Sequence, residues 1–298
     1  VVRAAAPYRA VWVSYLEWEQ VDFSSAEAFT QAIGTMLDNI QSIGATVVLA
    51  QVRPFGDALY PSGYFPFSHL CTGTQGQDPG FDPLALLVDA AHARDLQLEA
   101  WVNPYRIQAG QTPALCGASP ARLHPDWVRY TDTGAYLDPA NADVRQYIAD
   151  GVGELCARYA VDGIHFDDYF YPTTAASFDS KAYASLGGGN TLAYFRRNNV
   201  NTLIRGIYKA VKGVNSKLKF GISPGGNIER NKNELYADTT TWLQYSGYMD
   251  YCIPQIYWGY NHKTHDYKKI TNQWKSLATN NSVDLIIGLG FYKVNNSE

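Results

Sequence analysis

DGIHFDDYFYP, residues 162–172, is the stretch whose reading decides the fold. It opens on a turn pair, Asp162-Gly163, and polarity alternates after it. Side chains of a strand point to opposite faces with a period of two, so Gly163, His165 and Asp167 share one face while Ile164 and Phe166 share the other. An apolar face against helices and a polar face inward describes a strand that lines the mouth of a parallel barrel. The run ends in the adjacent carboxylates Asp167 and Asp168, then Tyr169, Phe170 and Tyr171, and Pro172 stops it. Carboxylates at the carboxyl end of a strand, beside an aromatic shelf, suit sugar chemistry. The plainer alternative is that the two Asp cap the next helix or form an ion pair.

Outward from this strand the chain alternates strand and helix. Residues 9–14 form the first strand, and Ser24–Ser25 cap a helix to about residue 43, with Phe29, Ile33, Met36, Leu37 and Ile40 at helical spacing and Gly44 ending it. Residues 46–52 are a nearly continuous apolar run, as in a buried parallel strand, whose inward set is Val47, Leu49, Gln51 and Arg53. A long loop follows over 53–80, and loops of that length inside a compact domain usually carry function. A helix over 83–94 and a strand over 96–102 come next, with Glu99, Trp101 and Asn103 inward, then a second long loop to about residue 139. Helices over 141–159, 192–212, 239–245 and 267–278 alternate with strands over 219–223, 251–257 and 284–289. The pattern predicts a (β/α)8 barrel of the TIM type in one domain over 1–298. About seven strands are found, so the last strand and helix unit is expected to be missing, with the domain incomplete at its C-terminus or the barrel open beside the first strand. No glycine fingerprint of a dinucleotide site follows the first strand.

The net charge of −4 argues against a nucleic-acid partner, and no apolar run reaches the length of a membrane span. Twenty-two Tyr and seven Trp supply flat faces with polar edges suited to sugar rings, although most are expected to fill core positions. Six His and four Cys show no metal-ligand spacing, so no metal or other cofactor is expected. Cys71 and Cys116 fall in loops rich in Gly, Pro and Thr, which leaves a Cys71–Cys116 disulfide and two free thiols equally open.

Several stretches together resemble the glycosyl-hydrolase-like 10 family of bacterial envelope and secreted proteins: QVRPFGDALYPS (51–62), DPLALLVDAAHARDL (82–96), AWVNPYRI (100–107), RYAVDGIHFDDYFYP (158–172), FRRNNVN (195–201), FGISPGGNIERN (220–231) and DYCIPQIYW (250–258). The resemblance implies a (β/α)8-type barrel and glycoside hydrolysis, with bacterial cell-wall glycan strands as the substrate of some members. It also implies a secreted or envelope location after signal removal. Where relatives commonly carry His before AW, this chain has Glu99.

Glycoside hydrolysis uses two carboxyl groups, one as nucleophile or base and one as proton donor. Asp167 is the candidate nucleophile or stabilising carboxylate, because its parity points it inward. Asp168 is the candidate proton donor, or it merely holds a neighbouring Arg; in the second case the acid comes from Asp57, Glu17 or Glu229. The DGxDxDxE pattern of chitinase-like barrels is approached but not met, since His165 and Tyr169 replace two of its acids, which disfavours substrate-assisted hydrolysis. Substrate contacts are expected from Gln51, Arg53, Asp57, Asn103, Tyr105, Arg106, His165, Tyr169, Gln255, Tyr257 and Trp258. Within that set Arg53 either orients a sugar or pairs with Asp167 or Glu99, His165 hydrogen-bonds Glu99, and Tyr257 and Trp258 form stacking walls. The function expected is hydrolysis of an oligo- or polysaccharide. The alternatives are a catalytically weak carbohydrate-binding barrel and, on weaker grounds, a polysaccharide deacetylase.

Overall fold

A computed structural model describes residues 7–294. Seven parallel strands form one curled sheet in chain order: β1 (Ala10–Val13), β2 (Val47–Arg53), β3 (Gln97–Val102), β4 (Gly163–Phe166), β5 (Lys219–Ile222), β6 (Tyr251–Cys252) and β7 (Asp284–Leu285). The outer face is covered by α1 (Ala26–Ser42), α2 (Pro83–His92), α3 (Ala142–Arg158), α4 (Leu192–Val214), α5 (Thr239–Gln244) and α6 (Tyr267–Leu277). Each of these helices starts on a polar side chain that accepts from a first-turn N–H, for example Ser25 from Ala28 at 3.1 Å and Asp82 from Ala85 at 3.1 Å.

Strand parity divides the core in two. Val48, Ala50, Val52, Leu98, Ala100, Ile164, Phe166, Phe220 and Ile222 face outward into one large apolar cluster with the helices. Val47 and Leu49 face inward and meet Tyr251 and Ile253, with Tyr8, Ala10, Trp12 and Ile286 against them. Rows from opposite ends of the sheet therefore touch across its interior. Among the described residues β1 pairs only with β2 and β7 only with β6, so strand pairing does not close the ring. Side chains bridge the seam instead: the Tyr8 and Tyr251 rings lie 5.3 Å apart, and Trp12 reaches the backbone at Gly288. The parallel, curled sheet with helices on its outer face matches the sequence reading.

Three local features differ from that reading. The inward set of β2 does not run through to Arg53, because a register shift lies between Gln51, opposite Trp101, and Arg53, opposite Val102. Such a bulge inverts the parity of the residues beyond it. The stretches over 251–257 and 284–289 are each interrupted, and their second halves, Gln255–Ile256 and Gly288–Leu289, form a separate two-stranded parallel ladder. Pro254, which has no N–H, stands at the first break. The loop after β3 contains an antiparallel sheet of Arg106–Ala109, Val128–Thr131 and Gly134–Leu137. Cys71 and Cys116 are both free thiols.

Candidate active site

Asp167 follows the last residue of β4 on the inward parity and is 4% exposed. Three groups donate to its carboxylate. Asn103 Nδ2 lies 2.8 Å from Oδ1 and 2.7 Å from Oδ2, Trp101 Nε1 is 3.1 Å from Oδ2, and the Tyr169 backbone N–H is 3.0 Å from Oδ1. Asn103 is itself oriented, since Gln51 Nε2 donates to its Oδ1 at 2.5 Å and the Tyr15 N–H donates to Gln51 Oε1 at 2.8 Å. This relay of amides fixes which end of Asn103 faces the acid.

Asp168 is half-buried and turns towards the following strands, where Gln255 Nε2 donates to Oδ1 at 3.3 Å and to the Ser223 carbonyl at 2.9 Å. Burial raises both carboxyls above the ordinary range, and the Asp168 charge adds to the effect on Asp167. The hydrogen bonds from Tyr169 and Asn103, and the Arg106 charge, pull Asp167 back down. Gln255, a backbone N–H of Asp168 itself and the charge of Arg230 do the same for Asp168. Of the two, Asp167 accepts the more hydrogen bonds, yet it is also the one that burial and the neighbouring Asp168 charge push up to about 7. Arg106 donates to the Pro54 carbonyl at 2.9 Å, and its guanidinium lies 4.7 Å from both the Phe55 and the Tyr169 ring centroids. Tyr169 is half exposed above it.

Beneath the carboxylates lies a buried polar chain. Trp12 Nε1 donates to His165 Nε2 at 3.1 Å, so that nitrogen carries the lone pair and Nδ1 carries the proton, 3.0 Å from the Tyr251 hydroxyl. Tyr251 in turn donates to Glu99, which also accepts from Tyr8 at 3.1 Å. Burial pushes Glu99 up to about 7 and His165 down to about 3. Glu99 and His165 do share the inward face, but Tyr251 stands between them, so the direct hydrogen bond expected from the sequence is replaced by a phenol bridge. Gly163 makes room for this: a Cβ there would sit 2.7 Å from the Lys219 carbonyl oxygen and 3.0 Å from the Glu99 carboxyl.

Gln51, Asn103, Arg106, Tyr169 and Gln255 thus gather around Asp167 and Asp168. Tyr257 and Trp258 follow Gln255 at the same rim, partly buried. Four other expected contacts are corrected. Arg53, turned by the bulge, is 1% exposed, lies 4.0 Å from the Phe65 ring and has no hydrogen-bond partner for its guanidinium. Asp57 is fully buried and accepts from Gln75 Nε2 at 3.0 Å, with His69 Nδ1 3.2 Å away. Tyr105 is fully buried in the outer core, because the chain turns into the antiparallel sheet just after it. His165 is fully buried below the mouth and reaches no surface. Of the remaining candidate acids, Glu17 accepts from Ser14 N–H at 2.7 Å in capping a helix turn, and Glu229 accepts from Asn233 at 3.2 Å. Among the described residues no three His, Cys, Asp or Glu side chains converge to hold a metal ion.

Trp101 was absent from the expected contacts, although its place two residues before Asn103 on one strand face already set it towards Asp167. Tyr15 and Phe55 carried no such signal. They enter through a backbone N–H and a ring face, which side-chain pattern does not reveal.

The known proteins most informative about this geometry are glycoside hydrolases. The PgaB (BpsB) glycoside hydrolase domain of Bordetella bronchiseptica superposes with a TM-score of 0.55 over 91% of this chain and 80% of its own, at 14% identity. An α-L-fucosidase isoenzyme 2 from Paenibacillus thiaminolyticus gives 0.54 over 74% of this chain and 33% of its own, at 15% identity. These likenesses show the fold alone, a barrel of the TIM type. In sequence, glycosyl hydrolase YngK of Bacillus subtilis is 37% identical over 97% of this chain, which spans 61% of YngK's length. Glycosyl hydrolase DigH of Escherichia coli K12 is 34% identical over 98% of this chain and 75% of its own length. The family model described as glycosyl hydrolase-like 10 matches residues 7–298. A match over that span, with relatives 34% and 37% identical along nearly the whole chain, makes this protein a member of the glycosyl hydrolase-like 10 family.

Proposed function

We propose that the protein is a glycoside hydrolase acting on a polysaccharide, with bacterial cell-wall glycan strands as the substrate. The observation that carries this reading is the unequal treatment of two neighbouring carboxyls at the carboxyl end of β4. Asp167 accepts from Trp101, Asn103 and the Tyr169 N–H, while Asp168 has one long contact from Gln255. Glycosidases need one carboxylate that stays ionised and one carboxyl that carries a proton. Asp167 is the carboxylate that attacks, or electrostatically stabilises, the oxocarbenium-like sugar. Asp168 delivers the proton to the leaving oxygen. Gln51 and Asn103 hold Asp167 in place, Arg106 and Tyr169 form one wall, and Tyr257 and Trp258 form the other.

The family membership supports the reaction class, and the resemblance to envelope and secreted proteins supports a location where such a glycan is met. The test is incubation with a panel of glycans, including peptide-free peptidoglycan strands, followed by mass spectrometry of the products. Asp167→Asn is expected to abolish hydrolysis while glycan affinity persists. Turnover retained by that variant defeats the assignment of Asp167. Binding without hydrolysis by the unaltered protein favours the carbohydrate-binding reading instead.

A further inference from the structure

Asp168 shares a gap at Gly225 with a buried oxygen that no protein group satisfies. Gly225, in the turn after β5, pairs with Gln255 as an isolated parallel bridge, and the Gln255 N–H donates to the Pro224 carbonyl at 2.9 Å. The Asp168 carboxyl meets this pair with both oxygens. Its Oδ1 accepts from the Gln255 side chain, and its Oδ2 lies 3.8 Å from the point that a Cβ on Gly225 would occupy. Asn231 Oδ1 lies 3.0 Å from the same point. Asn231 belongs to the short helix Ile228–Asn233 and is 0% exposed. Its Nδ2 donates to the Gly225 carbonyl at 2.6 Å, which settles which end of the amide is nitrogen and leaves Oδ1 at the gap. Among the described residues that oxygen is buried and accepts no hydrogen bond.

We propose that Asn231 is a positioning residue for the reaction: its amide oxygen favours the protonated form of Asp168 and sets that proton on Oδ2, ready for the leaving oxygen. The inference rests on the proposed glycoside hydrolase reading and deepens it by naming what keeps the acid an acid. An ionised carboxylate only accepts hydrogen bonds, so its lone pairs oppose those of Asn231, whereas a carboxyl carries one O–H. Gln255 donates to Oδ1, so the O–H belongs on Oδ2, the oxygen that shares the gap with Asn231. A partner that suits only the neutral form holds the proton on. Burial of Asp168 acts in the same sense, against the pull of Gln255, its own backbone N–H and Arg230. The other ionisable groups near Asp168 are Asp167 on its own strand, Arg230 on the helix, which donates to Glu234 at 3.3 Å, and Tyr257 past β6. All of these stay as they are in the variants that follow.

The Asp168 carboxyl can be followed directly by carbon-13 NMR of protein labelled at its aspartate carboxyls, with the resonance assigned by its loss in Asp168→Asn. Asn231→Ser replaces the fixed acceptor with a hydroxyl that can turn and donate. It is expected to lower the Asp168 titration midpoint by at least about half a pH unit. Asn231→Asp keeps an acceptor of the same shape, and its midpoint is expected to hold or rise. Both variants lose the donor to the Gly225 carbonyl, so a merely structural role would loosen the site and lower the midpoint in each. An unchanged midpoint in Asn231→Ser, or a fall in Asn231→Asp, overturns the proposal. Should Asn231→Ser fail to fold, Asn231→Thr carries the same hydroxyl with more bulk and is held to the same fall. Where glycan is hydrolysed, the alkaline limb of the pH–turnover profile should move down with the midpoint in the hydroxyl variant. A limb that stays in place overturns the part of Asn231 in the reaction. The NMR titration needs no substrate, so a parent that never hydrolyses glycan refutes the hydrolase reading while the hold on the Asp168 proton is still decided.

Discussion

At the residue scale, Asp167 and Asp168 should respond differently to the same change. A carboxamide at 167 offers one acceptor oxygen where the carboxylate offered two. Its NH2 then faces the Trp101 N–H or the Asn103 NH2, donor against donor. Asp167→Asn is therefore expected to destabilise the fold by about 1–3 kcal/mol, read as a lower urea midpoint. At 168 the amide oxygen can keep the single Gln255 contact, and the buried charge disappears. Asp168→Asn is expected to hold or raise the thermal midpoint at pH 8, while hydrolysis falls at least about 100-fold. Both carboxylates and most of their neighbours were legible in the sequence, because strand parity and a position just past a strand end are pattern-level signals. The exceptions have physical causes: Asp57 and Tyr105 lie in loops, whose paths no periodicity specifies.

At the scale of the element, β2 shows how one irregularity redirects a side chain. Parity was a sound guide from Val47 to Gln51 and failed at Arg53, where the bulge turns the guanidinium out to Phe65. Burial there pushes the Arg53 guanidinium down to about 10, the mark of a charge held without adequate partners. Cation–π attraction returns about 2 kcal/mol in a desolvated setting, and the cost of burying an ion is several kcal/mol. Arg53→Met is accordingly expected to raise the thermal midpoint while leaving glycan turnover intact, since the side chain is away from the mouth. A large loss of turnover would mean the bulge itself shapes the site. In β4 the same kind of argument concerns Gly163. Gly163→Ala drives a methyl against the Lys219 carbonyl and the Glu99 carboxyl, and is expected to cost about 1–3 kcal/mol in urea unfolding. The strand and helix pattern was readable throughout, whereas the antiparallel sheet after β3 was not. Its strands are four residues each, too short for a period to stand out.

For the whole molecule, the buried chain under the mouth sets opposing responses to pH. Glu99 titrates near 7 when folded, against about 4.3 in an unfolded chain, so its contribution to stability is complete below about pH 4 and is lost as pH rises through 7. The raised carboxyls of Asp167 and Asp168 act in the same sense. His165 titrates near 3 when folded against about 6.5 unfolded, so its contribution is complete above that value and is lost as pH falls. Glu99→Gln removes the largest neutral-side contribution outside the catalytic pair. Its urea-unfolding free energy is expected to decline less than the parent's between pH 5 and 8, the difference in slope being at most about 1.4 kcal/mol per pH unit. Identical slopes would mean that Glu99 is already ionised at pH 5.

The seam between the first and last strands also dictates an order of unravelling. Inner strands such as Gln97–Val102 and Gly163–Phe166 are laced to neighbours on both sides, whereas among the described residues Ala10–Val13 and Asp284–Leu285 are laced on one. Deuterium should therefore enter the two margins well before the middle. Bulky Trp12, wedged across the gap, would act as the latch, and trimming it to Ala should quicken that entry at both margins at once.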